Sequence, residues 1–88
     1  MYYLIEVTEA KYLGEFRILL TFNTGEKRIV NLKGRLHGEI FEPLKDEGFF
    51  MQFKVDKELG TIVWPNGADI APYGLYDMSK PAEYIKAV

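Results

Sequence analysis

The side chains best suited to chemistry lie in one stretch near the C-terminal end of the sequence. Asn66 and Asp69 would present an amide and a carboxylate, and Trp64 and Tyr76 would supply aromatic walls beside them. Such a set is typical of a site for a small polar ligand or a partner. A structural explanation also fits, because Asn66 followed by glycine is a turn signal and Asp69 can accept backbone hydrogen bonds. We favour the structural explanation and retain these four residues as the candidate ligand or partner site.

Catalytic and metal-binding residues are not predicted elsewhere in the sequence. His37 is the single histidine, there is no cysteine, and Ser79 stands in a helix-cap context rather than in a nucleophile motif. The carboxylates lack the spacing of a calcium loop, and the glycines lack the context of a phosphate-binding loop. We therefore expect a domain that is not an enzyme and that has no catalytic residues, no metal site and no cofactor.

A short basic stretch offers a second kind of contact. It contains Lys27, Arg28, Lys33, Arg35 and His37. Weak nucleic-acid contact through residues 27–35 is one interpretation of this stretch. However, strand alternation would send Lys27 and Arg28 to opposite faces, and no recognition motif with stacking aromatics is present. We favour a solvent-facing strand edge whose charged side chains prevent unwanted pairing with other strands. We do not expect nucleic-acid binding.

The elements that would position these residues belong to one small domain. The sequence has 88 residues and is 15% aromatic, which supplies enough large apolar side chains for a single core. It contains no cysteine, no leader-like segment and no apolar run long enough to cross a membrane, so we expect a cytoplasmic location and no membrane contact. The net charge of -2 is too small to steer binding over the whole surface.

The N-terminal half predicts three consecutive antiparallel strands. Alternating apolar residues predict a first strand over residues 3–7 and a second over residues 16–22. Asn23, Thr24 and Gly25 then form a turn signal, and a basic return strand follows over residues 26–33. These strands would form a meander.

The C-terminal half predicts a short helix over residues 40–47 and then a second hairpin, with strands over residues 49–55 and 61–64. Apolar residues at helical spacing over residues 81–88, with Ser79 upstream, predict a short C-terminal helix. The fold class is therefore α+β: a three-stranded antiparallel meander, a short helix, a second β-hairpin and a short C-terminal helix. We divide the chain into a domain of residues 1–76 and a helical tail of residues 77–88, docked on the domain or on a partner.

Several of these segments together resemble one bacterial and archaeal family, domain of unknown function 2442. The resemblance rests on the strand of residues 16–22 with its turn, on residues 40–46 with Phe49, on residues 61–70, and on Leu75 with Tyr76. It implies a small α+β fold and no established activity. Family members are often encoded beside another small protein in an arrangement like that of a toxin and its antitoxin, which implies a protein-binding role.

Two functional hypotheses follow for the chain. The first is a non-enzymatic interaction domain that forms a homodimer or binds a small protein partner through its C-terminal segment or an exposed sheet edge. The short amphipathic tail on a small aromatic-rich domain motivates it. The second is a small-ligand sensor that uses a pocket between the sheet and the loop from Trp64 to Tyr76.

Overall fold

The computed structural model describes residues 4–82 and contains an antiparallel main sheet with a helical layer and a second hairpin on one face. Along the chain the elements are β1 (Val7–Gly14), β2 (Arg17–Phe22), β3 (Lys27–Asn31), a 3-10 helix (Glu39–Lys45), α1 (Glu47–Phe50), β4 (Lys54–Asp56), β5 (Thr61–Val63), α2 (Pro72–Met78) and β6 (Ser79–Pro81). The main sheet has the strand order β1-β2-β3-β6, and β4 pairs with β5. The α+β class and the meander of the first three strands are confirmed.

Strand alternation separates the two faces of the main sheet. Along β2, Ile18, Leu20 and Phe22 are buried, whereas the residues between them are only partly covered. In β3 the buried residue Val30 lies opposite Ile18. A period of two therefore sends one set of apolar side chains into the core and leaves the other set on the opposite face.

The core is closed by side chains from the second half of the chain. They are Leu44 of the 3-10 helix, Phe50 of α1, Ile62 of β5, Trp64 after it, and Leu75 of α2. All five are at most 2% exposed. Burial of each such side chain stabilises a fold by about 1.5–3 kcal/mol. These elements consequently form the second layer of the domain.

The β4-β5 hairpin is joined to the first strand at a glycine. Val7 donates its backbone N–H to the carbonyl of Gly60 at 2.8 Å. Gly60 has φ of +68°, and a Cβ built there would lie 2.9 Å from Cγ of Glu6. Both the backbone conformation and the close approach of Glu6 therefore require glycine at this junction.

The predicted first strand is displaced in the structure. We expected a strand over residues 3–7, but β1 begins at Val7 and continues to Gly14. Residues 4–6 are instead tied to the β2-β3 turn, because Asn23 accepts from the N–H of Glu6 at 3.0 Å and donates to the carbonyl of Leu4 at 2.8 Å. A backbone bond from the N–H of Asn23 to the carbonyl of Glu6 at 2.8 Å accompanies these side-chain bonds. Residue 3 lies outside the described residues.

The predicted strand over residues 49–55 is also wrong in its first half. Residues 47–50 form α1, and only Lys54–Asp56 pair as β4. The carboxylate of Asp46 accepts from the N–H of Phe49 at 3.0 Å and so caps the start of α1. The helix predicted just before this point is a 3-10 helix that contains Pro43. The second hairpin itself is confirmed, although it is short.

The C-terminal part contains the predicted helix at an earlier position, followed by a strand that the sequence did not predict. Residues 72–78, which precede the predicted helix of residues 81–88, form α2, and Pro72 stands in its first turn. Residues 79–81 then pair with β3 as an edge strand, with Ser79 opposite Val30 and Pro81 opposite Arg28. Pro81 therefore belongs to a strand rather than to the predicted helix. Residues 83–88 of that helix lie outside the described residues, and the docking of this tail segment stays a prediction.

Candidate functional site

Trp64, the aromatic wall of the predicted site, lies in the core. It is 2% exposed, and its indole N–H donates to the carbonyl of Phe50 at 2.7 Å. Its ring also packs against Phe50 and Phe53, with centroid distances of 5.6 and 6.2 Å. The polar group of Trp64 is thus satisfied within the protein, and its ring holds α1 against β5.

Asn66 and Asp69 lie in the turn that follows. The Asn66 amide donates to the carbonyl of Ile40 at 2.8 Å and accepts from the N–H of Ala68 at 3.2 Å. Asp69 is exposed, and its backbone forms an isolated bridge with Val63. Asn66 therefore shapes the turn and fixes the 3-10 helix, while the Asp69 side chain faces solvent.

Tyr76 joins α2 to the main sheet. Its hydroxyl donates to the Glu26 carboxylate at 2.8 Å, and the Arg28 guanidinium lies 4.1 Å above its ring. Arg28 in turn donates to the Ser79 hydroxyl at 2.6 Å. The hydrogen bond from Tyr76, followed by that from Thr24, lowers the pKa of Glu26, and the same bond raises the pKa of Tyr76. This polar group anchors α2 and β6 to β3.

The four predicted residues do not converge on one set of ligand contacts. Trp64 bonds to α1, Asn66 to the 3-10 helix and Tyr76 to the end of the β2-β3 turn. Their use as a ligand or partner site stays a prediction. His37 is exposed in the loop before the 3-10 helix. Within residues 4–82, no group of three or more histidine, aspartate and glutamate residues could hold a metal ion, and no helix is long and apolar enough to cross a membrane.

A different surface brings chemically related side chains together. The face of the main sheet opposite the core carries a cross-strand row in which Lys11 lies opposite Leu19, Leu19 opposite Ile29, and Ile29 opposite Lys80. Leu19 and Ile29 are only partly covered. In the described part of the chain, the helices and the second hairpin place their buried side chains against the other face of the sheet. This row is therefore apolar at its centre and cationic at both ends.

Further cationic side chains extend the row into a broad surface. We call it the cationic sheet face, and its members are Lys11, Arg17, Leu19, Thr21, Lys27, Ile29, Asn31, Lys33, Arg35, Met78 and Lys80. Part of it is a concavity of about 500 Å³ beside Ile29 and Met78 that Arg17, Lys33, Arg35 and Lys80 also line. Glu9, opposite Thr21, is an acidic residue on this face of the sheet.

Few of these cations are neutralised by nearby carboxylates. Arg17 lies 3.9 Å from Glu15, whose side chain is 86% exposed. Among the described residues, Lys11, Lys33, Arg35 and Lys80 form no ion pair. The whole chain has a net charge of -2, so the positive charge of this face is opposite in sign to that of the chain. The cationic sheet face therefore carries a local excess of positive charge.

Sequence reasoning located only part of this surface. Lys33 and Arg35 belong to the basic stretch that we singled out, and Lys27 and Arg28 do face opposite sides of β3. The alternation along β2 could have added Arg17 and Leu19 to the surface. No sequence pattern could have assigned Lys80 to this surface, because three residues ending in proline do not predict a strand.

Comparison with known proteins gives one match. A family model described as Protein of unknown function (DUF2442) matches residues 7–81. No curated protein and no solved structure matches the chain. The matched range begins with the first residue of β1 and ends with the last residue of β6, so it includes the complete main sheet.

Proposed function

This chain belongs to the DUF2442 family of proteins of unknown function, and we propose that it is a non-enzymatic domain that binds a partner protein through its cationic sheet face. The observation that carries the proposal is the row in which Leu19 and Ile29 lie between Lys11 and Lys80. Protein interfaces combine an apolar centre with a polar rim, and this row has that composition.

The apolar centre favours a macromolecular partner. Leu19 and Ile29 are adjacent on neighbouring strands, on a face that the helical layer of the described residues does not cover. Contiguous apolar side chains on a sheet surface, rimmed by charged residues, are a recognised mark of an interaction site. A partner that covers them would gain hydrophobic contact at the centre and ionic contact at the rim.

The positive charge of the rim indicates what kind of partner would bind. Two copies that met face to face through this surface would bring Lys11, Arg17, Lys27 and Lys80 against the same cations. Like charges brought together at an interface cost several kcal/mol. We therefore infer a second protein with an acidic surface rather than a homodimer. This partner corresponds to the small protein of an antitoxin-like pair, and the absence of cysteine supports the cytoplasm as the place where the two meet.

Nucleic acid is a less suitable occupant of the same surface. Proteins that bind single strands stack bases on aromatic side chains, and none of the residues that define the cationic sheet face is aromatic. Arg28, which belongs to the basic stretch, lies on the other side of the sheet. There its guanidinium donates to the Ser79 hydroxyl and packs over the Tyr76 ring. The ligand-sensing alternative has less support, because Trp64 and Asn66 already bond within the protein.

The experiment compares two double charge reversals. Tagged protein carrying Lys11→Glu and Lys80→Glu is tested beside the unchanged chain and beside a control with Lys54→Glu and Lys57→Glu, two exposed lysines at the second hairpin. Each preparation is used to capture proteins from source cells, with and without nuclease. We expect an acidic protein that survives nuclease treatment and that only the face variant loses.

Other outcomes would refute the proposal. Equal capture by the face variant and the control would place the contact elsewhere on the domain. Recovery of nucleic acid alone would support the weak nucleic-acid contact of residues 27–35 instead. Light scattering that gives twice the chain mass, abolished by the face variant, would assign this surface to a homodimer.

A further inference from the structure

A small pocket lies beside the cationic sheet face, where the β1-β2 turn meets the segment after β3. Its volume is about 220 Å³. Phe16, Leu32 and Leu36 form its apolar walls, and Lys33 and Lys45 also line it. The pocket thus joins a hydrophobic interior to two ammonium-bearing side chains.

The turn that supplies Phe16 has an unusual backbone. Glu15 and Phe16 have φ of 55° and 63°, a region that residues with side chains rarely adopt. Two-residue hairpin turns that need positive φ at both positions normally contain asparagine and glycine. Strained backbone persists where the surroundings enforce it, and it is concentrated at functional sites. Phenylalanine is therefore an unusual residue at this position of the turn.

Several contacts hold Phe16 in this position. Its N–H donates to the Tyr12 hydroxyl at 3.2 Å, and its carbonyl accepts from the N–H of Leu32 at 2.9 Å. Its ring meets that of Phe50 edge to face, with a centroid distance of 4.9 Å. Phe16 is consequently a fixed wall of the pocket rather than a side chain that can fold into it.

The two lysines differ in their availability. Lys45 is paired with Glu42 at 2.9 Å. Within residues 4–82, Lys33 forms no ion pair. Lys33 can therefore receive an anionic group without first giving up a carboxylate partner, and its flexible stem allows its ammonium to follow the ligand.

We propose that this pocket binds a compact apolar monocarboxylate, with an aromatic or branched body against Phe16, Leu32 and Leu36 and the carboxylate at Lys33. A dry cavity of about 150 Å³ accommodates benzene, so a volume of about 220 Å³ suits a single ring with a short acid substituent. This inference goes beyond the proposed function, since the ligand would occupy the pocket and not the apolar centre of the sheet face.

Fluorine NMR of the full chain tests the proposal with two probes of nearly equal shape. The first is 4-fluorophenylacetate, and the second is the neutral 4-fluorophenylacetamide. We expect saturable binding of the acid, weaker binding of the amide, and amide-proton shifts of the protein centred on residues 32–36. Lys33→Gln should weaken binding of the acid about two- to five-fold, as expected for an exposed ion pair, and should leave binding of the amide unchanged.

Two further variants make the result decisive. Lys57→Gln removes an exposed lysine in the β4-β5 turn and should not change binding of either probe. Phe16→Gly tolerates the positive φ but removes the ring, so binding of both probes should be lost while the amide spectrum stays dispersed. Absence of saturable binding, protein shifts centred elsewhere, or equal affinity for the acid in the unchanged chain and in Lys33→Gln would each overturn the proposal.

Discussion

Replacement of Glu15 by glycine should stabilise the protein, although it removes a side chain. Glu15 has φ of 55°, and an L-residue in this left-handed region costs about 1–2 kcal/mol. Glycine avoids that cost but loses about 0.5–1 kcal/mol through the larger entropy of the unfolded chain. Near the midpoints of these two ranges, the difference is a gain of about 0.5–1 kcal/mol.

Other contacts of Glu15 change this figure little. Its ion pair with Arg17 spans 3.9 Å and its side chain is 86% exposed, so the pair contributes almost nothing. The backbone N–H of residue 15 still donates to the Glu47 carboxylate at 3.3 Å in the glycine variant. The strain at Phe16 remains, so the gain comes from one residue only.

The assay is urea and thermal unfolding followed by the fluorescence of the buried Trp64. A gain of about 0.5–1 kcal/mol corresponds to a rise in melting temperature of about 2–8 °C for a domain of this size. Glu58→Gly is the matched control, because Glu58 is exposed in a turn and has no positive φ. We expect that control to lower stability. If both variants lowered it equally, the left-handed backbone at Glu15 would store no strain and the reasoning would fail.

Two other perturbations test the contacts that close the domain. Trp64→Phe removes the donor to the carbonyl of Phe50 and leaves that carbonyl buried without its partner, so we expect a loss of about 2–4 kcal/mol in urea unfolding followed by circular dichroism. Glu26 is stabilised as a carboxylate by Tyr76, and its pKa lies below the ordinary value of 4.5. Its contribution to stability is present above pH 4.5 and is lost as the pH falls through the lowered pKa of the folded state, so Glu26→Gln should show a smaller drop in melting temperature between pH 6 and pH 3. Parallel pH profiles for the two proteins would contradict this assignment.

The elements with clear periodicity were predictable from the sequence, and those fixed by side-chain bonds were not. Alternation along residues 16–22 identified β2 and its buried residues, because one face of that strand packs on the core. The same alternation predicts a strand over residues 49–55, but the structure has α1 at its start and a strand only from Lys54. There, Asp46 caps α1 and Phe50 reaches the core from a helix, so local hydrogen bonding overrides the pattern.

The residues of the functional surfaces were also only partly predictable from the sequence. Trp64, Asn66 and Tyr76 each make a specific hydrogen bond that sequence patterns cannot assign, and their use as a ligand or partner site stays a prediction. The cationic sheet face depends on the pairing of distant segments. Arg17 and Lys80 reach one surface only because β2 and β6 both flank β3, and a strand of three residues leaves no periodic signal.

The fourth strand is a short strand at the edge of the main sheet. Only three residue pairs join β6 to β3, and the bond between Arg28 and Ser79 spans 51 positions of sequence. β6 has three residues and lies at an edge of the sheet, and weakly held segments open well below the energy of global unfolding. We therefore expect hydrogen exchange in β6 to report local opening rather than global unfolding. Since this strand carries Lys80, that opening also governs how often the charged row is complete, and a partner that binds the row would slow exchange there first.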